Sequence, residues 1–126
     1  MSDGGFSVVE LAVVIVVIGI LVAIAVPVLT EMNYASRKAK AESAAANAER
    51  MIAIELTMSG TADTSTGSLA AELSQLRTGF ASGLAGATIT VNPELVSSLY
   101  CVTATVPGFG VATAGPGCSD PGWRDE

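Results

Sequence analysis

Residues 11–29, LAVVIVVIGILVAIAVPVL, carry no charged or polar side chain. A helix of about twenty such residues spans the ~30 Å hydrocarbon core of a bilayer, so the pattern predicts a transmembrane helix. Gly19 and Pro27 are its weak points. A proline inside a helix removes one backbone donor and clashes one turn back, at about 3 kcal/mol, and bending or local melting is expected between the two. Helical character continues beyond Pro27, because residues 35–56 are rich in alanine, glutamate, lysine, arginine, leucine and methionine. Ala41, Ala45, Ala48, Ile52 and Leu56 recur at the spacing of one helical face, able to seat a small sheet, and Gly60 supplies a stop signal. Counted from Phe6 to about Met58, the single helix is roughly 80 Å long at about 1.5 Å per residue, far more than a bilayer needs.

Polar loop chemistry follows in residues 61–68, TADTSTGS, whose hydroxyls are also candidate sugar acceptors. Ser68 then caps a short helix expected over Leu69–Arg77, with Leu69, Leu73 and Leu76 on one face and Gly79 ending it. Alternation typical of strands occupies residues 87–91, 99–106 and 109–113, with Pro107 and Gly108 turning between the last two. Three short strands do not stand alone in water, and the apolar face of residues 41–56 is the partner that would stabilise them. The tail from Ala114 to Glu126 is punctuated by proline, glycine and aspartate and reads as a loop. The expected fold class is therefore α+β. The expected divisions are a leader at 1–5, a membrane half of the helix at 6–30, an amphipathic half at 31–58 and a small head at 59–126.

Charge sharpens the division. All six basic residues and ten of the twelve acidic ones lie after position 30. The formal net charge of −6 opposes nucleic-acid binding through a large positive field, although Arg37, Lys38 and Lys40 form a local cluster able to meet lipid phosphates, acidic groups of a neighbour or simply solvent. Cys101 and Cys118 are the only cysteines. They lack the repeated pairs or histidines of a zinc site. A disulfide is the leading reading, two unpaired buried thiols the next, and a reactive or metal role the last, with no histidine to activate either thiol. The bridge would place the head in an oxidising compartment and stabilise it by about 3 kcal/mol.

The sharpest motif is at the start, where Gly4 and Gly5 precede Phe6 and then Glu10 at the mouth of the apolar run. A secretory signal peptide is the first rival, with Ala23-Ile24-Ala25 as its small-residue cleavage pattern. Against it stand a leader without a basic residue, an apolar run longer than usual, and Glu10 itself. An ordinary single-pass anchor is the second rival. Gly5-Phe6-Ser7-Val8-Val9-Glu10 followed by the apolar run resembles the class III prepilin signal of type IV pilins and pseudopilins. The resemblance covers residues 5 to about 58 well and the remainder only in architecture, a long helix, a loop, a small antiparallel sheet and a late disulfide loop. It implies cleavage after Gly5 and N-methylation of Phe6 by a prepilin peptidase/methyltransferase. It also implies delivery to an inner-membrane assembly platform and polymerisation as a homo-oligomeric helical filament. Glu10 becomes the fifth residue of the mature chain, the position where the family carries its glutamate. Gly19 and Pro27 fall where the family has a glycine and a proline, and the segment between them is where the resemblance implies melting within filaments.

A lone carboxylate in hydrocarbon costs about 2.5 to 3.5 kcal/mol on insertion scales. Cleavage before Phe6 frees an ammonium that, on one subunit, can neutralise Glu10 of the next, and wrong registers would leave a charge unpaired. Glu10 also suits the first turn of its own helix, at headgroup level. The leader departs from the family in carrying Asp3 and no lysine or arginine, while Arg37, Lys38 and Lys40 follow the span, the reverse of the positive-inside arrangement. The Gly-Phe-Glu signal and the cysteines outweigh this. The basic residues are then assigned to filament contacts, or a further piece of leader precedes residue 1.

An enzyme is disfavoured by the absence of histidine and of a phosphate-binding glycine loop ahead of a lysine. No cofactor is implied, and Asp120, Asp125 and Glu126 lack the rhythm of a calcium loop. The expectation is a precursor in the cytoplasmic membrane that becomes an extracellular pilus serving adhesion, twitching motility or DNA uptake. The alternative is a pseudopilin of a type II secretion or competence system.

Overall fold

The computed structural model describes residues 4–126; Met1, Ser2 and Asp3, and with them most of the expected leader, lie outside the described residues. The chain falls into two compact units, one ending at Tyr34 and the other covering Ala35–Glu126. A single helix, α1 (Val8–Ser59), contributes to both.

In the first unit every described residue is exposed. Gly19 and Pro27 both stay helical, and the hydroxyl of Thr30 donates to the carbonyl of Pro27 at 2.8 Å. Branched apolar side chains surround α1 here, and none is buried within the chain.

The second unit holds the core. Ala41, Ala44, Ala45, Ala48 and Ile52 of α1 are buried, with Leu56 packed at the edge, so the expected face is present and Ala44 widens it. The helix ends at Gly60, whose φ of 75° places it in the left-handed region and whose N–H reaches the carbonyl of Leu56 at 2.9 Å.

Facing α1 is a four-stranded antiparallel sheet of β2 (Thr88–Asn92), β4 (Cys101–Val106), β5 (Gly110–Ala114) and β6 (Gly122–Asp125), in that spatial order. A two-residue pair, β1 (Ala62–Asp63) with β3 (Leu95–Val96), lies apart from it. Ile89, Ala104 and Ala112 align across three strands and are buried, as are Val91 and Val102. The alternate positions Thr88, Thr90, Thr103, Thr105 and Thr113 form the opposite face. A small domain with this α+β layout is what the pattern predicted.

Three expectations need correction. The helix α2 (Gly67–Gly83) is longer than expected and is preceded by Thr66 rather than Ser68. It passes Gly79 because Phe80, buried in the core, makes continuation worth more than the roughly 1 kcal/mol a mid-helix glycine costs. Thr66 makes no side-chain cap; its hydroxyl donates instead to Asp63, at 2.6 Å. Residues 61–68 are not wholly loop, since Ala62 and Asp63 pair with Val96 and Leu95. The tail is not wholly loop either, because β6 pairs with β5, placing Trp123 opposite Ala112.

Candidate functional site

Residues 4–7 are not helical, so Gly5 and Phe6 occupy an exposed, irregular stretch immediately ahead of α1, with Phe6 84% exposed.

Ser7 and Glu10 form a reciprocal cap. The N–H of Ser7 donates to Oε2 of Glu10 at 3.0 Å, and the N–H of Glu10 donates to Oγ of Ser7 at 3.2 Å. The N–H of Leu11 meets the carbonyl of Ser7 at 3.1 Å, which starts the helical ladder. This capping box satisfies two backbone donors that would otherwise be orphaned at the helix start. It also fixes the Glu10 carboxylate against its own backbone, beside the helix N-terminus whose dipole favours negative charge. Ser7 was not among the residues singled out from the sequence, yet the Ser-x-x-Glu spacing ahead of an apolar run was its signal. In chemical terms the arrangement is an anion held in place, with one oxygen engaged by a backbone N–H.

Around and behind this anion lie sixteen large apolar side chains, from Val8 to Leu29, all exposed. Leaving each half in water forfeits about 1 kcal/mol, and the sum rivals the ~5 to 15 kcal/mol stability of a whole domain. The stretch is long and apolar enough to cross a membrane. Its backbone is satisfied internally, as hydrocarbon requires.

At the other end of the chain, Cys101 and Cys118 are joined by a disulfide. The loop it closes folds back on Tyr100, whose carbonyl accepts from the N–H of Gly117 at 2.9 Å. Gly115, at φ 125°, is required here, because a Cβ would stand 2.5 Å from the Tyr100 carbonyl oxygen. The Tyr100 hydroxyl in turn donates to the carbonyl of Glu49 on α1, at 3.3 Å. Burial, and secondarily the nearby Glu49 charge, raise its pKa above the ordinary 10.0. The bridge therefore fastens the tail to the α1–sheet core. Arg37, of the basic cluster, lies over the ring of Phe109 at 4.2 Å. Lys38 and Lys40 make no ion pair; among the described residues the sole salt bridge is Arg124 with Asp120, at 3.9 Å and exposed.

Asp63 organises the approach to α2. It accepts from the N–H and hydroxyl of Ser65 at 2.8 and 2.6 Å and from the hydroxyl of Thr66. The Ser65 hydroxyl first, then that of Thr66 and the Ser65 N–H, lower its pKa to about 2.

The sequence-predicted residues thus lie in separate places. Gly5, Phe6 and Glu10 cluster at the start of α1, Gly19 and Pro27 lie along it, and the cysteines close the tail. No family model matches the chain, and neither a curated protein nor a solved structure proved similar to it.

Proposed function

We propose that this chain is the structural subunit of a type IV pilus-like filament. It is stored in the cytoplasmic membrane as a single-pass precursor, cleaved after Gly5 and methylated at Phe6 by a prepilin peptidase/methyltransferase. An inner-membrane assembly platform then builds it into an extracellular homopolymer serving adhesion, motility or DNA uptake. The observation that carries this reading is Glu10: one carboxylate, fixed by its own helix cap, at the mouth of an apolar helical stretch that buries nothing within its own chain.

In an anchor that merely crosses a membrane Glu10 would serve only as a first-turn charge at headgroup level, and drawing it unpaired into hydrocarbon would cost up to a few kcal/mol. A helix that leaves lipid to join a bundle of identical helices gives the acid a partner, because the ammonium created at Phe6 on one copy can answer Glu10 on another. The pair is strong once water is excluded, and misregistered neighbours leave a charge unpaired. Apolar packing supplies the adhesion. The disulfide-closed tail suits a head exposed outside the cell.

The test is microscopy of the host with and without the chain. Loss of long surface fibres, restored by the intact gene and not by a Glu10→Ala copy, is the expected result. Fibres that persist unchanged in its absence would refute the reading.

A further inference from the structure

Where α1 passes α2 within the Ala35–Glu126 unit, an open groove of about 660 Å³ runs between them, with Ser36, Lys40 and Ser43 on the α1 side and Leu76, Gly79 and Gly83 on the α2 side. Most of its wall is apolar, and Lys40 is the one charged residue lining it. Nothing inside the unit explains Gly79: a Cβ there would meet no atom within 4 Å, although glycine in a helix interior costs roughly 1 kcal/mol relative to alanine. The residue keeps the groove open rather than allowing a contact in the fold. Lys40 forms no salt bridge with any described residue, so its charge is uncompensated in the single chain.

The occupant must be slender, mainly apolar and carry one anion. The stretch of α1 around Glu31 meets all three conditions with a carboxylate that no described residue engages. Around Glu31, α1 presents Val28, Leu29 and Met32, exposed by 50%, 58% and 62%. Glu31 is the only charge between Leu11 and Tyr34, and it too lacks an ion pair among the described residues. Of the other exposed acids, Glu10 has an apolar flank but its carboxylate is held by the Ser7 N–H, Glu94 has only Leu95 beside it, and Glu42, Glu72, Asp120, Asp125 and Glu126 have no row of exposed large apolar residues around them.

We infer that the groove receives the Val28–Tyr34 stretch of α1 from a second copy, with Lys40 of one copy paired to Glu31 of the other. The inference rests on the filament reading and adds to it a specific lateral contact. Groove and inserted segment are different surfaces, so the contact is heterologous; each copy can give one and receive one, and the interaction repeats along a polymer. Closing the groove excludes water from the pair, which strengthens it and penalises a like charge on either side.

The experiment uses the full chain in its host, with two readouts: fibres sheared from cells, and zero-length carbodiimide coupling, which joins a carboxylate to an amine in direct contact. Wild type is expected to yield dimer-mass products containing a Lys40–Glu31 linked peptide. Lys40→Glu and Glu31→Lys should each reduce fibres about tenfold or more, and the double exchange should restore them, since it re-forms the pair with its charges reversed. Gly79→Leu, whose Cβ would meet open space, should leave thermal unfolding unchanged while reducing fibres and the linked dimer.

If wild type forms fibres but the single reversals are harmless, or the double exchange is no better than the singles, or Gly79→Leu has no effect, the docking is wrong and the filament reading stands. If fibres never form but the linked dimer appears and follows the charge exchange, the contact stands and the filament reading falls. Absence of both fibres and linked dimer overturns both.

Discussion

Ile24 and Ile52 are the same residue on the same helix, yet Ile24 leaves 63% of its surface exposed and Ile52 none. Around Ile52 the helix is built from alanines at positions 41, 44, 45 and 48, small enough for a sheet to approach, and Val91, Val102 and Ala104 supply that sheet. Around Ile24 the side chains are large and branched on every side, and the chain provides no partner for them. An amphipathic stripe is an instruction to fold against one's own chain, and uniform hydrophobicity is an instruction to find another environment.

The comparison can be broken most severely at Glu10. Glu10→Ala is expected to lower assembled fibre by about a hundredfold, because truncating one partner of a desolvated pair costs ~2 to 5 kcal/mol, and to leave unfolding of the Ala35–Glu126 unit unchanged. Fibre yield after shearing, alongside a melting curve, reads both halves of that statement. The converse change is Leu73→Ala, at a fully buried core position. It should destabilise the head by about 3 kcal/mol, measured by denaturant unfolding of the full chain in mild detergent, while leaving membrane insertion intact.

Replacing both Cys101 and Cys118 by serine should cost the head about 3 kcal/mol in the same assay, the loop-closure contribution of the bridge. Smaller again is Ser7→Ala, which removes one arm of the capping box and should weaken the first turn of α1 by about 1 kcal/mol. Ser7→Thr keeps the hydroxyl and should restore it, as amide exchange at Val9 and Glu10 would report.

Titration gives the finest distinction. The Tyr100 pKa is raised in the fold, so its contribution is complete below the ordinary 10.0 and is lost as pH climbs through the folded value. Alkaline stability of the head should therefore fall above about pH 10, and Tyr100→Phe should flatten that slope. Asp63 shifts the other way, from 3.8 to about 2, so its contribution is present above the upper value and fades as pH drops toward the lower. Comparing acid unfolding of wild type with Asp63→Asn isolates it. Neither change should alter the apolar stretch.

Much of this division was legible in the sequence, for identifiable reasons. The four-and-three spacing of Ala41, Ala45, Ala48 and Ile52 gave the core face, alternation gave β2, β4 and β5, and two cysteines allowed only one bridge. What escaped depended on contacts distant in the chain. β6 reads as a punctuated tail until its pairing to β5 is known, and β1 is two residues whose partner lies more than thirty positions away. The end of α2 was misjudged because Gly79 weighs locally as a stop, whereas Phe80 is held by the core. At the site, Gly5, Phe6 and Glu10 were marked, and the Ser7 cap was overlooked although its spacing was in plain view.

The central claim is that the exposed apolar half of α1 becomes a processed filament core. Its most direct test is the mass of the N-terminal peptide recovered from assembled material. The account predicts a chain that begins at Phe6 and carries one N-methyl group. Assembled protein that begins at Val26, or that retains Met1, would contradict it.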